Sequence, residues 1–233
     1  MCDLRSKDMR RVFGAVFAAL GWTVIVSICW VALLAVADPP VTWHMADQCA
    51  ELGAVQRAWR DLGSIAPAMP LAVIAAEDQK YMEHHGFDVE AMRQAWERNS
   101  KDTKGRLRGG STISQQVAKN VFLWPGRSLL RKGLEAWFTG LIESIWGKER
   151  IMEVYLNVAE MGKGAFGVQA IADRAFQREA IKLSRSQCAR IAACLPSPRR
   201  YDAAAPSAYV SRRADWVLRQ MNNLGDIFPT KEP

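Results

Sequence analysis

An all-α fold is what this sequence predicts, and three observations carry the prediction. Apolar residues recur at helical spacing along most of the chain, strand-like alternation is scarce, and one uncharged run, residues 12–37, is longer than a bilayer crossing requires. With 233 residues, 49% of them hydrophobic, the chain can build one globular core and carry an appended segment.

The elements follow in order. The run VFGAVFAALGWTVIVSICWVALLAVA, at about 1.5 Å per residue, outreaches a hydrocarbon core of ~30 Å. It shows no polar face, which argues against a core helix. Ala35-Val36-Ala37 resembles a signal-peptide cleavage site, yet the run is about twice a signal core of roughly 7–15 residues, so an uncleaved transmembrane anchor is expected. Arg5, Lys7, Arg10 and Arg11 precede the run, and the next Lys or Arg is Arg57. This bias implies a cytoplasmic tail at 1–11, the anchor at 12–37 and an extracytoplasmic domain at 38–233. Asp38-Pro39-Pro40 breaks the helix, and Trp43 suits a membrane interface. Pro70 opens a helix through Leu71, Ile74 and Ala75 that Gly86 stops. Ile113, Val117 and Val121 mark another, as do Leu130, Leu134, Phe138 and Ile142, and then Ile151, Val154, Tyr155 and Val158. Gly162, Gly164 and Gly167 form a turn before a helix over 168–176, and helices over 181–195 and 210–221 complete the chain.

Net charge is +7, and four basic and two acidic residues in the first 37 account for +2 of it. A basic domain beside a membrane favours anionic partners such as lipid head groups or phosphates, while its topology argues against nucleic acid. Cys49, Cys188 and Cys194 are odd in number outside the anchor, Cys2 and Cys29 lie in tail and span, and no disulfide framework or metal-type spacing is legible.

Three segments carry chemistry. On a helix, GGSTISQQVAKN (109–120) buries its apolar stripe and lines a separate face with Thr112, Gln116, Lys119 and Asn120. Its double glycine permits close backbone approach, and a helix N-terminus attracts anions. A solvated face capped by Ser111 or Thr112 is the plainer alternative. Arg127, Arg131 and Glu135 follow at four-residue steps beside Lys132, a pattern that exposed ion pairing also explains. Glu77 and Asp78 end an apolar run, where desolvation raises a carboxyl pKa toward that of a general base; pairing of Glu77 with Lys80 or Tyr81 is the alternative.

Five motifs, ED--Y--H-G (Glu77, Asp78, Tyr81, His84, Gly86), GGSTISQQVAKN, RKGLE (Arg131, Lys132, Glu135), KERIMEVYLN (148–157) and RADWVL (213–218), stand in the order found in the peptidoglycan glycosyltransferases. From about Pro70 to Leu218 the chain resembles that family, the transglycosylase module of penicillin-binding proteins and of monofunctional biosynthetic peptidoglycan transglycosylases. Tyr81, Ser114 and Met152 replace the usual phenylalanine, threonine and leucine without removing a charge. The resemblance implies a lysozyme-like, two-lobed all-α domain that polymerises glycan strands from lipid II. The lipid-linked strand would be transferred with inversion to the acceptor GlcNAc 4-hydroxyl, releasing undecaprenyl diphosphate.

By the same resemblance Glu77 is the general base, and Glu135 assists at the donor diphosphate directly or through a divalent cation such as Mg²⁺ or Mn²⁺, although no metal-ligand motif is readable. Ser111, Gln115, Gln116, Lys119, Asn120, Arg127, Arg131 and Lys132 would border sugars and phosphates, with Asp78, Tyr81, His84 and Asn157 in support. Phe122-Leu123-Trp124 either dips into lipid or packs in the core. The chain contains no Ser-x-x-Lys, so a transpeptidase partner is expected to cross-link the product. The expected site of action is the bacterial inner membrane, with the catalytic domain periplasmic. A lysozyme-like hydrolase or lytic enzyme and a noncatalytic cell-wall scaffold are the competing classes; the hydrolase would not need the cationic group.

Overall fold

The computed structural model describes residues 2–101, 110–126 and 128–228, and its contacts divide the chain into two compact units, Met1–Asp38 and Pro39–Pro233. The first unit is helix α1 (Cys2–Leu34), whose segment Val12–Leu34 is long and apolar enough to cross a membrane by length and composition. Phe17 and Trp22 on it are 70% and 66% exposed, an arrangement that an apolar surrounding favours.

The second unit runs α2 (Trp43–Leu52), β1 (Gln56–Arg57), α3 (Ala68–Glu77), α4 (Val89–Lys101), α5 (Ile113–Phe122), α6 (Leu129–Ile145), α7 (Gly147–Val158), β2 (Glu160–Gly162), β3 (Ala165–Phe166), α8 (Val168–Phe176), α9 (Arg185–Cys194) and α10 (Ala208–Leu224). The chain is mostly helical, as the apolar spacing predicts. The strands form one small sheet in the order β1-β3-β2, with β1 parallel and β2 antiparallel to β3. Segments of two or three residues are too short to show alternation, which is why the sequence hides them. The helix expected over 181–195 is instead a 3-10 turn at Ala180–Lys182 followed by α9. Ser184 starts that helix through a capping box with Gln187.

Two groups of helices make the core: α3 packs on α9 and α10, and α5 packs on α6 and α7. Because α3 is enclosed, it is apolar all round, and Met69 through Ala75 are buried. On α5 the stripe Ile113, Val117 and Val121 is buried, and Phe122 stacks on Phe138 with ring centroids 4.5 Å apart. Phe122 and Leu123 are therefore core residues, while Trp124 stays 44% exposed.

Close approaches fix the loops. Gly86 adopts φ +87°, and a Cβ there would stand 2.7 Å from Thr139 Cγ2, so the loop after α3 passes hard against α6 only because the residue is glycine. Asn157, buried at the end of α7, accepts from the Arg60 N–H and donates to the carbonyls of Arg60 and Glu153, all at 2.8 Å. This ties the segment following β1 to α7.

Candidate active site

At Asp78 the backbone leaves helical geometry (φ −158°), which makes Glu77 the last residue of α3. The buried Asp78 carboxylate accepts the Ile113 N–H at 3.0 Å and a bond from His84 Nε2 at 2.9 Å. His84 Nδ1 accepts the Gly86 N–H at 3.1 Å, so the proton given to Asp78 sits on Nε2. Tyr81 donates to the Lys148 carbonyl at 2.8 Å, and the Lys148 ammonium donates to the His84 carbonyl (2.6 Å) and to Glu143 (2.8 Å) while lying 4.5 Å from the Tyr81 ring centre. Ser114 donates to the same Glu143 oxygen. Loop 78–86 is thereby fastened to α5, α6 and α7, and Glu77 is presented from a rigid mount.

The polar start of α5 has two jobs. Thr112 Oγ1 accepts the Gln115 N–H at 3.2 Å, Gln115 Oε1 accepts the Thr112 N–H at 3.0 Å, and Thr112 also donates to the Gly86 carbonyl at 2.6 Å. With Asp78 on Ile113, the Thr112, Ile113 and Gln115 N–H groups at this helix start are already engaged. Gln115 is buried in this cap, 2% exposed, and does not border a cleft. Gln116 instead meets the candidate base: its Nε2 donates to Glu77 Oε2 at 3.0 Å, and Tyr155 reaches its carbonyl oxygen at 3.5 Å. Glu77 is paired with neither Lys80, which bonds Glu90 at 3.1 Å, nor Tyr81. Burial pushes the Glu77 carboxyl above the usual carboxylate range, Asp78 adds to the rise, and Gln116, Arg213 and Lys119 pull partly back.

Two pockets open at opposite ends of α5. One, of about 270 Å³, is lined by Glu77, Asp78, Lys80, Asp88, Glu90 and Ser111 among others. The second, of about 280 Å³, is lined by His44, Lys119, Asn120, Trp124 and Arg131 with the Leu123 and Pro125-Gly126 turn. Crowding by protein pushes the Lys119 ammonium below the ordinary lysine value; Arg131 and Lys132 act in the same sense, and Glu135 and Glu77 oppose them. Lys119 is thus within electrostatic reach of both carboxylates. Glu135 is buried on α6, bonded by Lys132 and flanked by Arg131 Nη1 at 3.7 Å. Arg127 lies outside the described residues. Among those described, no three His, Cys, Asp or Glu side chains gather to hold a metal by themselves, and Glu135 is a single carboxylate flanked by cations, the number that an ion shared with a bound phosphate group takes from protein.

Reasoning from sequence missed four residues. Arg213 on α10 reaches the Ala76 carbonyl at 3.5 Å and acts on Glu77; it stood in the quoted RADWVL without being singled out. Lys148 likewise stood in KERIMEVYLN, while Glu143 carried no signal. His44 lay outside every motif. As assembled, the site can take a proton on a carboxylate of raised pKa and stabilise developing negative charge with nearby cations.

The family model described as Transglycosylase matches residues 46–222. The chain is 52% identical over 206 residues to the biosynthetic peptidoglycan transglycosylase of Xanthomonas axonopodis pv. citri (strain 306), covering 85% of this chain and 83% of that one. It is 48% identical over 225 residues to the protein of the same name from Pseudomonas aeruginosa PAO1, covering 93% and 95%. With that of Pseudomonas putida (strain W619) identity is 49% over 226 residues, covering 94% and 93%.

Proposed function

The chain belongs to the transglycosylase family, enzymes of peptidoglycan glycosyl transfer, and on that premise we propose that it lengthens glycan strands from lipid II. The observation that carries this reading is Glu77, held by Gln116 at a pocket rim with its pKa raised and Lys119 within electrostatic reach. Glu77 takes the proton of the acceptor GlcNAc 4-hydroxyl as that oxygen bonds the anomeric carbon of the lipid-linked donor. The bond from that carbon to the diphosphate breaks, its electron pair leaves on undecaprenyl diphosphate, and attack from the opposite side inverts the configuration.

Lys119, Arg131 and Lys132 receive the developing charge, arginine through a planar fork and lysine as a point charge. Glu135 keeps Arg131 and Lys132 oriented. Glu135, a single carboxylate beside these cations, could also share a divalent ion such as Mg²⁺ or Mn²⁺ with the donor diphosphate, whose oxygens would complete its coordination. Gln116, Asn120 and Ser111 border the sugars. The basic residues of α1 that precede its apolar stretch Val12–Leu34 favour a cytoplasmic N-terminus and a periplasmic catalytic domain at the inner membrane. The product is an uncross-linked strand, which a transpeptidase partner joins to the wall.

Purified full chain in detergent, given lipid II with Mg²⁺ or Mn²⁺, is expected to form polymer and Glu77→Gln to form almost none, while a parallel reaction with EDTA reads whether a divalent ion takes part. Absence of polymer with the wild type, or cleavage of isolated sacculi in its place, would overturn the reading. Equal polymer yield from Glu77→Gln would make Glu77 dispensable.

A further inference from the structure

One wall of the basic pocket comes from α2, where His44 stands with Lys119, Asn120 and Arg131. The imidazole is held from behind. Its Nε2 lies 3.1 Å from Glu160 Oε2, and the Glu160 side chain, on β2, is 6% exposed. Arg199 Nε donates to both Glu160 oxygens at 3.0 and 3.3 Å, and the Gly164 N–H donates to Oε1 at 3.1 Å. Burial pushes the Glu160 carboxyl up, but the bonds from His44, Gly164 and Arg199 outweigh it and keep the group below the usual carboxylate range. Glu160 is therefore an ionised acceptor, and His44 Nε2 carries the proton between them. The Phe166 ring, edge-on at 5.5 Å, limits rotation of the imidazole. Among the described residues no hydrogen bond engages Nδ1, and the side chain keeps 31% exposure at the pocket wall. A buried, fully bonded carboxylate thus fixes one edge of a pocket-lining imidazole and leaves the other edge open.

We propose that His44 is a further binding residue of this pocket, donating an Nδ1–H to a diphosphate oxygen of the lipid-linked donor while Glu160 holds Nε2. This rests on the transferase reading above. Donation from Nδ1 while Nε2–H faces Glu160 needs the imidazolium, so any His44 that is neutral in the free protein takes a proton from water on binding. The charged groups around it are Glu160 from β2, which favours that proton, and Lys119 from α5, Arg131 from α6 and Arg199 beyond α9, which oppose it. Arg199 is itself partly neutralised by Glu51 of α2 at 3.4 Å. The anion supplies the remaining negative charge and so favours the imidazolium. Glu160 and Arg199 act through His44 as positioning residues.

The test is calorimetric titration of the full chain in a nonionic detergent with inorganic pyrophosphate, repeated in buffers of differing ionisation enthalpy. Wild type is expected to take up more protons per pyrophosphate bound than His44→Ala or His44→Gln. Both variants are expected to bind about tenfold more weakly, the worth of one charge-assisted hydrogen bond. Their thermal unfolding midpoints are expected to match wild type. Unchanged affinity and proton uptake in both variants, whatever their unfolding midpoints, would overturn the proposal. So would displacement of pyrophosphate by phosphatidylglycerol micelles at equal phosphate concentration, which would make the pocket a headgroup site. Wild type that polymerises lipid II yet binds no pyrophosphate also sinks the His44 assignment and leaves the transferase reading intact. Wild type that makes no polymer but binds pyrophosphate through His44 fails the transferase reading alone.

Discussion

At Glu77 the hydrogen bond from Gln116 works against burial, and the balance leaves the carboxyl harder to ionise than usual. A carboxyl whose folded pKa is raised costs stability once pH exceeds its unfolded value of ~4.3, and costs it in full above the folded value. Glu77→Gln should therefore raise the unfolding midpoint followed by circular dichroism at pH 7.5, an advantage that vanishes below about pH 4. The same substitution should lower polymerisation by ~10²–10⁴-fold, the usual worth of a general base. Gln116→Leu removes a bond that favours the charged form, so the acidic limb of the kcat/KM profile should move to higher pH; a limb that stays put would show the bond is unimportant in solution. Glu77 was legible because a carboxylate closing an apolar run is a costly placement. Of the neighbouring Gln115 and Gln116, one caps and one faces the site, and only the helix start decides which. Glu143 was illegible because Ser114 and Lys148 converge on it from two other helices.

Helix α5 is the element on which the site is strung, and its start is held mainly by Thr112. Thr112→Ala removes the cap on Gln115 N–H and the donor to the Gly86 carbonyl, and should cost about 1–2 kcal/mol in urea unfolding. Gly86→Ala places a Cβ against Thr139 in a left-handed backbone conformation and should cost a further ~1–3 kcal/mol if measured in the same way. Helices α5 through α8 could be read because apolar residues recur along each at helical spacing. By contrast α4 went unread although Val89, Met92 and Trp96 recur at helical spacing; Val89 and Trp96 are 74% and 72% exposed, so this stripe is not packed into the core. Helix α2 was hidden for a related reason, burying only Met45 and Gln48 among its ten residues.

On the scale of the whole molecule, the long apolar α1 and the helical unit after it have separate internal contacts. A chain of residues 39–233 should unfold cooperatively yet lose the carbonate-resistant membrane association of the full protein, as sedimentation would show. The membrane span and the domain core were readable from hydropathy, whereas the two pockets arise from chain segments far apart in sequence. One consequence lies in how α5 is loaded. Asp78, Asp88 and Glu90 gather near its amino end, and His44, Lys119 and Arg131 near its carboxyl end, over the ~15 Å that ten residues span. A ligand that is neutral at its head and doubly anionic at its tail is steered by this gradient before any bond is made.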